Sequence, residues 1–216
     1  MKPTPTMSNL PLRLADFANL AEALDYAAKG ETGANFYKKN GQLDAVLPYA
    51  QLRDEAQTLA RRLLSLKLER GARVALVAET HPDFLRFFFA CQYAGLVPVP
   101  LPISIQLGGF EAFVAQLHRL LVDCRADLAV APEEYLPFLK EAASSLNLTF
   151  CGSPSDYDGL PVENTRLQPS ISNELAYLQY TSGSTRFPRG VMITQETVMS
   201  NLSIMTRDGI KIRPGD

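Results

Sequence analysis

Cysteine is scarce in this chain: Cys91, Cys124 and Cys151 are the three among 216 residues. They are too few and too far apart for a disulfide framework or a zinc site, so they read as buried or half-buried thiols in a reducing compartment. A surplus of one charge is missing too. There are 21 Lys and Arg against 23 Asp and Glu, and the formal charge is -2. That balance makes no electrostatic case for nucleic acid or an anionic membrane as partner. A long clean apolar run is also absent. The most apolar stretch, Phe84 to Ile105, is interrupted by Arg86, Gln92, Pro98, Pro100 and Pro102. It falls short of the roughly 20 residues a helix needs to cross lipid. Met1 to Phe17 has scattered prolines and no apolar block, unlike a secretory signal. Neither solenoid-period repeats nor low-complexity tracts occur. The remaining composition is ordinary, 46% hydrophobic and 20% charged. It excludes a wholly disordered or collagen-like chain and suits one large domain or two small ones. The expectation is a soluble cytoplasmic protein with no stable membrane insertion.

Hydrophobic spacing predicts the elements. The opening residues to Leu14 read as extended. Leu20, Ala21, Leu24, Ala27 and Ala28 share a helical face, with Asn19 and Glu22 placed as a capping box and Gly30 as a stop. Residues 34–39 and 42–47 flank Asn40-Gly41, which predicts a hairpin with a two-residue turn. Leu52 to Leu64 reads as an amphipathic helix and Arg73 to Glu79 as a buried strand. Pro82 opens a helix over 82–94 that is apolar nearly all round, as expected of a helix between layers. Val97–Leu101 reads as a strand, Phe110–Leu121 as a helix and Leu128–Ala131 as a strand. A helix over 133–145 and a strand over Leu148–Cys151 follow. Residues 152–173 read as a surface connection. Leu175–Tyr180 is a strand and 196–207 a helix. Short apolar strands alternating with helices predict an α/β fold: a mostly parallel sheet with helices on both faces, preceded by a short β-hairpin. The ending Ile210-Lys-Ile-Arg-Pro-Gly-Asp216 resembles Leu66-Lys-Leu-Glu-Arg-Gly-Ala72, which leads into the 73–79 strand. From that likeness the chain is expected to be the N-terminal piece of a longer protein.

One loop carries chemistry. Residues 180–190 read Tyr-Thr-Ser-Gly-Ser-Thr-Arg-Phe-Pro-Arg-Gly. Thr181, Ser182, Ser184 and Thr185 surround Gly183, and Arg186, Arg189 and Gly190 follow. A polyphosphate site needs close backbone approach, which glycine permits. It also needs converging N–H and O–H donors, and cations for charge-assisted bonds to phosphate oxygens. All three occur here, after a strand, where open α/β sheets place ligands. Arg189-Gly190-Val191 does not supply the ending of the GxxxxGK[ST] loop. The plainer reading of such a Ser/Thr/Gly cluster is a solvated turn.

The run Ala176-Tyr-Leu-Gln-Tyr-Thr-Ser-Gly-Ser-Thr-Arg-Phe-Pro-Arg-Gly-Val-Met-Ile-Thr194 resembles the phosphate-loop signature of the adenylate-forming superfamily. The superfamily includes acyl-CoA synthetases, luciferases and peptide-synthetase adenylation domains. Arg186, where most members carry Gly, is similar to one branch, the fatty acyl-AMP ligases. Ala90-Cys-Gln-Tyr-Ala-Gly-Leu-Val-Pro-Val-Pro-Leu101 and Asn35-Phe-Tyr resemble that branch as well. The likeness runs over essentially the whole chain. Two positions depart from the wider pattern: Arg189 replaces a usual Lys, and Gln195 stands where His is common. Arg keeps the charge but changes the geometry. Gln195 cannot titrate, which leaves it a structural hydrogen-bonding role.

The resemblance implies a fold and a function. The fold is the N-terminal part of the AMP-binding large domain, with a first α/β subdomain over 1–170 and the phosphate loop and start of the next segment over 171–216. The activity is attack of a fatty-acid carboxylate on the α-phosphorus of ATP, with Mg²⁺, giving acyl-AMP and pyrophosphate. The acyl group then passes to an acyl carrier protein. Thr181, Ser182, Gly183, Ser184, Thr185 and Gly190 are implied to cradle the β and γ phosphates, Arg189 to steady the leaving pyrophosphate, and Thr185 to touch the metal. The adenine pocket, the ribose-binding Asp, the metal-binding Glu, the mobile-domain Lys and an insertion disfavouring coenzyme A belong further along such enzymes. This chain alone is therefore expected not to adenylate. Two other readings stand beside this one: an acyl- or aryl-CoA synthetase, and a non-catalytic partner-binding relative. Outside the loop, His81 reads as a cap and His118 as solvent-facing. Phe84 to Phe89 read as core rather than a fatty-acid tunnel, and Lys38-Lys39 and Arg61-Arg62 as solvated pairs.

Overall fold

The computed structural model describes residues 10–102, 109–181 and 188–213. Its centre is a parallel four-stranded sheet made of β3 (Arg73–Val77), β4 (Val97–Leu101), β5 (Leu128–Val130) and β6 (Phe150–Gly152), in the order β4-β3-β5-β6. Side chains alternate across a strand, so each buried strand feeds two cores. Val74, Leu76, Leu128 and Val130 face one core with α1 (Leu20–Ala27), α2 (Tyr49–Leu64) and α3 (Pro82–Ala94). Ala75, Val77, Ala129 and Ala131 face the other, with α4 (Gly109–Cys124) and α5 (Leu136–Ala143). Helices cover both faces, which is the expected α/β arrangement.

Two antiparallel hairpins flank this sheet. The first pairs β1 (Gly33–Tyr37) with β2 (Leu43–Pro48). Its turn is longer than the two residues expected. Lys38 N–H donates to the Gln42 carbonyl at 2.8 Å and Gly41 N–H to the Lys38 carbonyl at 2.9 Å. Gly41, at φ 80°, takes the left-handed position, while Asn40 accepts the Gln42 N–H through its side chain at 3.1 Å. A turn closed by one left-handed glycine needs a third loop residue. The second hairpin pairs β7 (Leu175–Thr181) with β8 (Arg189–Thr194), and it leads into α7 (Gln195–Ile204) and a π-turn, Met205–Gly209.

β7 packs against β4, yet the two do not share a ladder. Prolines give the reason. Val97 N–H turns inward to the Ala72 carbonyl. Alternate residues of a strand offer their N–H to opposite edges, so positions 98 and 100 would serve the outer edge. Both are proline, with no N–H to offer.

Several expectations need correction. The 152–173 connection contains a helix, α6 (Pro154–Asp158), capped by Ser153 and Asp156 reciprocally. Tyr157 on α6 is fully buried, and its hydroxyl donates to the Ala129 carbonyl at 3.0 Å. The polar composition hid a complete capping box. His118 is half-buried rather than solvent-facing, with Nδ1 2.8 Å from the Ala142 carbonyl of α5. Arg61 and Arg62 are not simply solvated: Arg62 bonds the Leu160 carbonyl, and the Arg61 carbonyl accepts from Glu163 N–H. Lys38 and Lys39 are exposed as expected. His81 caps α3, accepting Asp83 N–H at 3.3 Å. Phe87 is core and meets Tyr157 edge-on at 5.2 Å. Asn19 caps α1, but Glu22 reaches back to Ala18 N–H rather than closing the box on Asn19. None of the three cysteines is in a disulfide. Among the described residues no helix is long and apolar enough to cross a membrane.

Candidate active site

β7 reads Leu-Ala-Tyr-Leu-Gln-Tyr-Thr, and its alternation buries Ala176 and Leu178. Leu178 enters the core shared with β4 and α4. Tyr180 follows the same face. Its hydroxyl donates to Asp123 Oδ2 at 2.6 Å, tying the strand to the end of α4. Burial, and then that hydrogen bond to a carboxylate, push the Tyr180 phenol well above its ordinary value. Tyr180 pairs across the hairpin with Gly190, and a Cβ at Gly190 would lie 3.4 Å from the Tyr180 ring. An aromatic laid over a cross-strand glycine covers backbone that would otherwise be bare.

The hairpin carries Thr181 and Arg189 to its tip as cross-strand partners. Both are exposed, and among the described residues Arg189 has no ion-pair partner. Ser182, Gly183, Ser184 and Thr185, expected to hold phosphate, lie outside the described residues, as does Arg186. β8 itself was not expected from the sequence, because its pattern is exposed nearly throughout.

The base of the hairpin is clamped. Arg70, in the turn before β3, meets Glu174 through Nε at 2.5 Å and Nη2 at 2.6 Å. It also donates to the carbonyls of Gln168 at 2.8 Å and Pro169 at 2.9 Å. The Arg70 guanidinium holds the Glu174 carboxyl below its ordinary value. Room for that side chain comes from Gly95, at φ 70°, where a Cβ would sit 2.4 Å from Arg70 Nη1. Glu174 and Ser172 carbonyls in turn accept the Gln195 and Glu196 N–H groups, each at 2.9 Å. Gln195 is fully buried against Gln92. The sequence points to a structural hydrogen bond for Gln195 but not to its partner Gln92, nor to Arg70 and Glu174. One signal was available: Gln92 is a polar residue inside the apolar run Phe-Phe-Phe-Ala-Cys-Gln-Tyr-Ala.

A separate small cleft, of about 30 Å³, opens where the strand order turns, past the carboxyl ends of β3 and β5. Glu79, His81 and Asp83 line it beside Val77, Val130 and Pro132. Asp83 is already engaged there, by Arg86 at 2.6 Å and His81 at 3.1 Å. Among the described residues no group of three His, Cys, Asp or Glu could hold a metal ion.

The model of a family described as AMP-binding enzyme matches residues 26–216. A Caulobacter vibrioides protein, provisionally named an acyl-CoA synthetase, is 45% identical over 214 residues, or 99% of this chain and 37% of that protein. A medium-chain-fatty-acid–[acyl-carrier-protein] ligase of Moorena producens is 30% identical over 197 residues, or 87% of this chain and 33% of that protein. A solved structure from work on fatty acyl-adenylate ligases of E. coli and L. pneumophila superposes with a TM-score of 0.89 at 48% identity. It covers 95% of this chain and 37% of that one. The chain therefore spans between 33% and 37% of the length of these relatives.

Proposed function

The chain belongs to the AMP-binding enzyme family, and from that premise we propose that it supplies the nucleotide-phosphate grip of a fatty acyl-AMP ligase. One observation carries the reading. Thr181 and Arg189 stand opposite each other at the ends of a hydroxyl-dense loop, on a hairpin clamped at its base. Phosphoryl chemistry of this kind asks the protein for positioning and charge neutralisation more than covalent steps. In this reading the hydroxyls of Thr181, Ser182, Ser184 and Thr185, with the backbone at Gly183 and Gly190, hold the β and γ phosphates of ATP. The fatty-acid carboxylate attacks the α-phosphorus, acyl-AMP forms, and pyrophosphate departs against the Arg189 cation. Arg suits this task because its planar fork matches phosphate oxygens.

Mg²⁺ belongs to the proposal with the nucleotide: Thr185 would hold it, and it would supply positive charge against the phosphates. The described residues form no metal site of their own, so no step is derived through the ion. The domain division at 170/171 and a cytoplasmic setting are part of the same proposal, the latter agreeing with three free thiols. So is dependence on residues beyond these 216 for adenylation, since the relatives are far longer.

For the acceptor we propose an acyl carrier protein, in line with the name of the Moorena relative. Free coenzyme A is the second reading, favoured by the provisional name of the Caulobacter relative. The full-length natural protein tests both. With fatty acid, ATP and Mg²⁺ it is expected to exchange pyrophosphate and load a phosphopantetheinylated carrier protein. Arg189→Ala is expected to slow the exchange on the order of 100-fold. An unchanged rate would sink the phosphate-grip reading, and efficient thioester formation with free coenzyme A would reject the ligase branch.

A further inference from the structure

Burying glutamine is costly unless its amide donors and acceptor all find partners. Gln92 and Gln195 are nonetheless both 0% exposed. Gln195 Nε2 donates to Gln92 Oε1 at 2.6 Å. The relay continues at each end. Leu20 N–H, at the start of α1, donates to Gln195 Oε1 at 3.0 Å. Gln92 Nε2 donates to the Ala176 carbonyl of β7 at 2.8 Å. A backbone N–H only donates and a carbonyl only accepts. These two ends therefore fix the orientation of both amides, and the central bond can run in one direction only.

Four elements meet in this relay: α1, α3, β7 and α7. Ala176 lies on the outgoing leg of the second hairpin, and Gln195 directly follows the returning leg. The Gln92 carbonyl also accepts Ser170 N–H at 3.0 Å, just upstream of the hairpin. Both legs are thus referred to one rigid helix. From Ala176 to Thr181 the strand is a lever about 17 Å long. A tilt of about 5° at its base would move the tip by about 1.5 Å over that length. Misplacement by 1 Å can cost on the order of 100-fold in rate.

We infer that Gln92 and Gln195 form a positioning pair that sets the seat of the β7–β8 hairpin, and with it the phosphate-holding tip. The second part rests on the function proposed above. The arrangement assigns each amide a distinct duty. Gln195 holds the returning leg and α1, while Gln92 holds the outgoing leg. Neither touches substrate.

The test uses the natural full-length chain, with Gln195→Met and Gln92→Met, which keep side-chain length and remove the amide. Amide hydrogen exchange over 175–181 and 189–194 is expected to quicken about tenfold in either variant, with β3 and β5 unchanged. The KM for ATP is expected to rise several-fold, a change that a general loss of stability does not produce. Unchanged hairpin exchange, or loosening spread evenly over the molecule, overturns the inference. Should neither variant fold, wild-type exchange decides. Leu20 N–H and the hairpin amides are then expected to open with one free energy and one denaturant dependence, and separate values overturn the pair. Should the wild type show no fatty-acid-dependent pyrophosphate exchange, the functional reading fails, and hairpin exchange still judges the pair.

Discussion

Arg70 shows how much a single side chain can organise. It joins the turn before β3 to Glu174 and to the carbonyls of Gln168 and Pro169. About a third of each charged side chain is exposed, 37% for Arg70 and 31% for Glu174, so solvent screens the pair. Glu174→Gln is expected to cost about 1 kcal/mol at pH 7 in urea unfolding of the natural chain. The sign of its pH dependence follows from the depressed Glu174 carboxyl. A carboxylate held low stabilises the fold above its unfolded value near 4.5. That contribution is lost as pH falls through the lower folded value. Wild type and Glu174→Gln should therefore converge in stability as the solution is acidified below pH 4.5. A gap that widens instead would contradict the clasp. Nothing in the local sequence marks this pair, because its members lie 104 positions apart.

Elements divide by how local their causes are. The first helix could be placed from Asn19 and its apolar spacing, and Asn19 caps it, although Glu22 bonds Ala18 N–H instead of closing the expected box. The buried strands β3 and β5 were legible as short apolar runs. Two elements were not. β8 has no apolar alternation, since four of its six residues are exposed, and it forms by pairing with β7. α6 is five residues long, too short for periodicity to register, and it is held by the Ser153–Asp156 box and by Tyr157 beneath it. Ser153→Ala is expected to destabilise the protein by about 1 kcal/mol, because a buried cap leaves the Asp156 N–H without its acceptor. Ser155→Ala, at an exposed position of the same turn whose hydroxyl meets Glu133 and Ser153 Oγ but caps no backbone N–H, is expected to cost clearly less. Equal losses in thermal unfolding would mean the box does not hold α6.

Across the molecule, two cores on opposite faces of one sheet control access to reactive groups. Cys91 is fully buried and its thiol is pushed above its ordinary value by burial. Burial pushes Cys124 up to about 12. Cys151, on the edge strand β6, is half-buried, and burial raises it as well. Since the thiolate is the nucleophile, iodoacetamide at pH 8 is expected to label Cys151 first in the native chain, with Cys91 and Cys124 reacting only on unfolding. Mass spectrometry of a labelling time course checks this order, and early modification of Cys91 would contradict the two-core packing.

Most strands and helices, and the α/β class, were readable along the chain because their signals are local. Turn residues, caps and period-2 or period-3.6 spacing act within a few positions. Folding alone brought Gln92 to Gln195 across 103 positions and set Thr181 opposite Arg189. Such pairings depend on strand order and helix packing, which no window of neighbouring residues encodes, and a polar side chain reveals a structural duty only once its distant partner is in place.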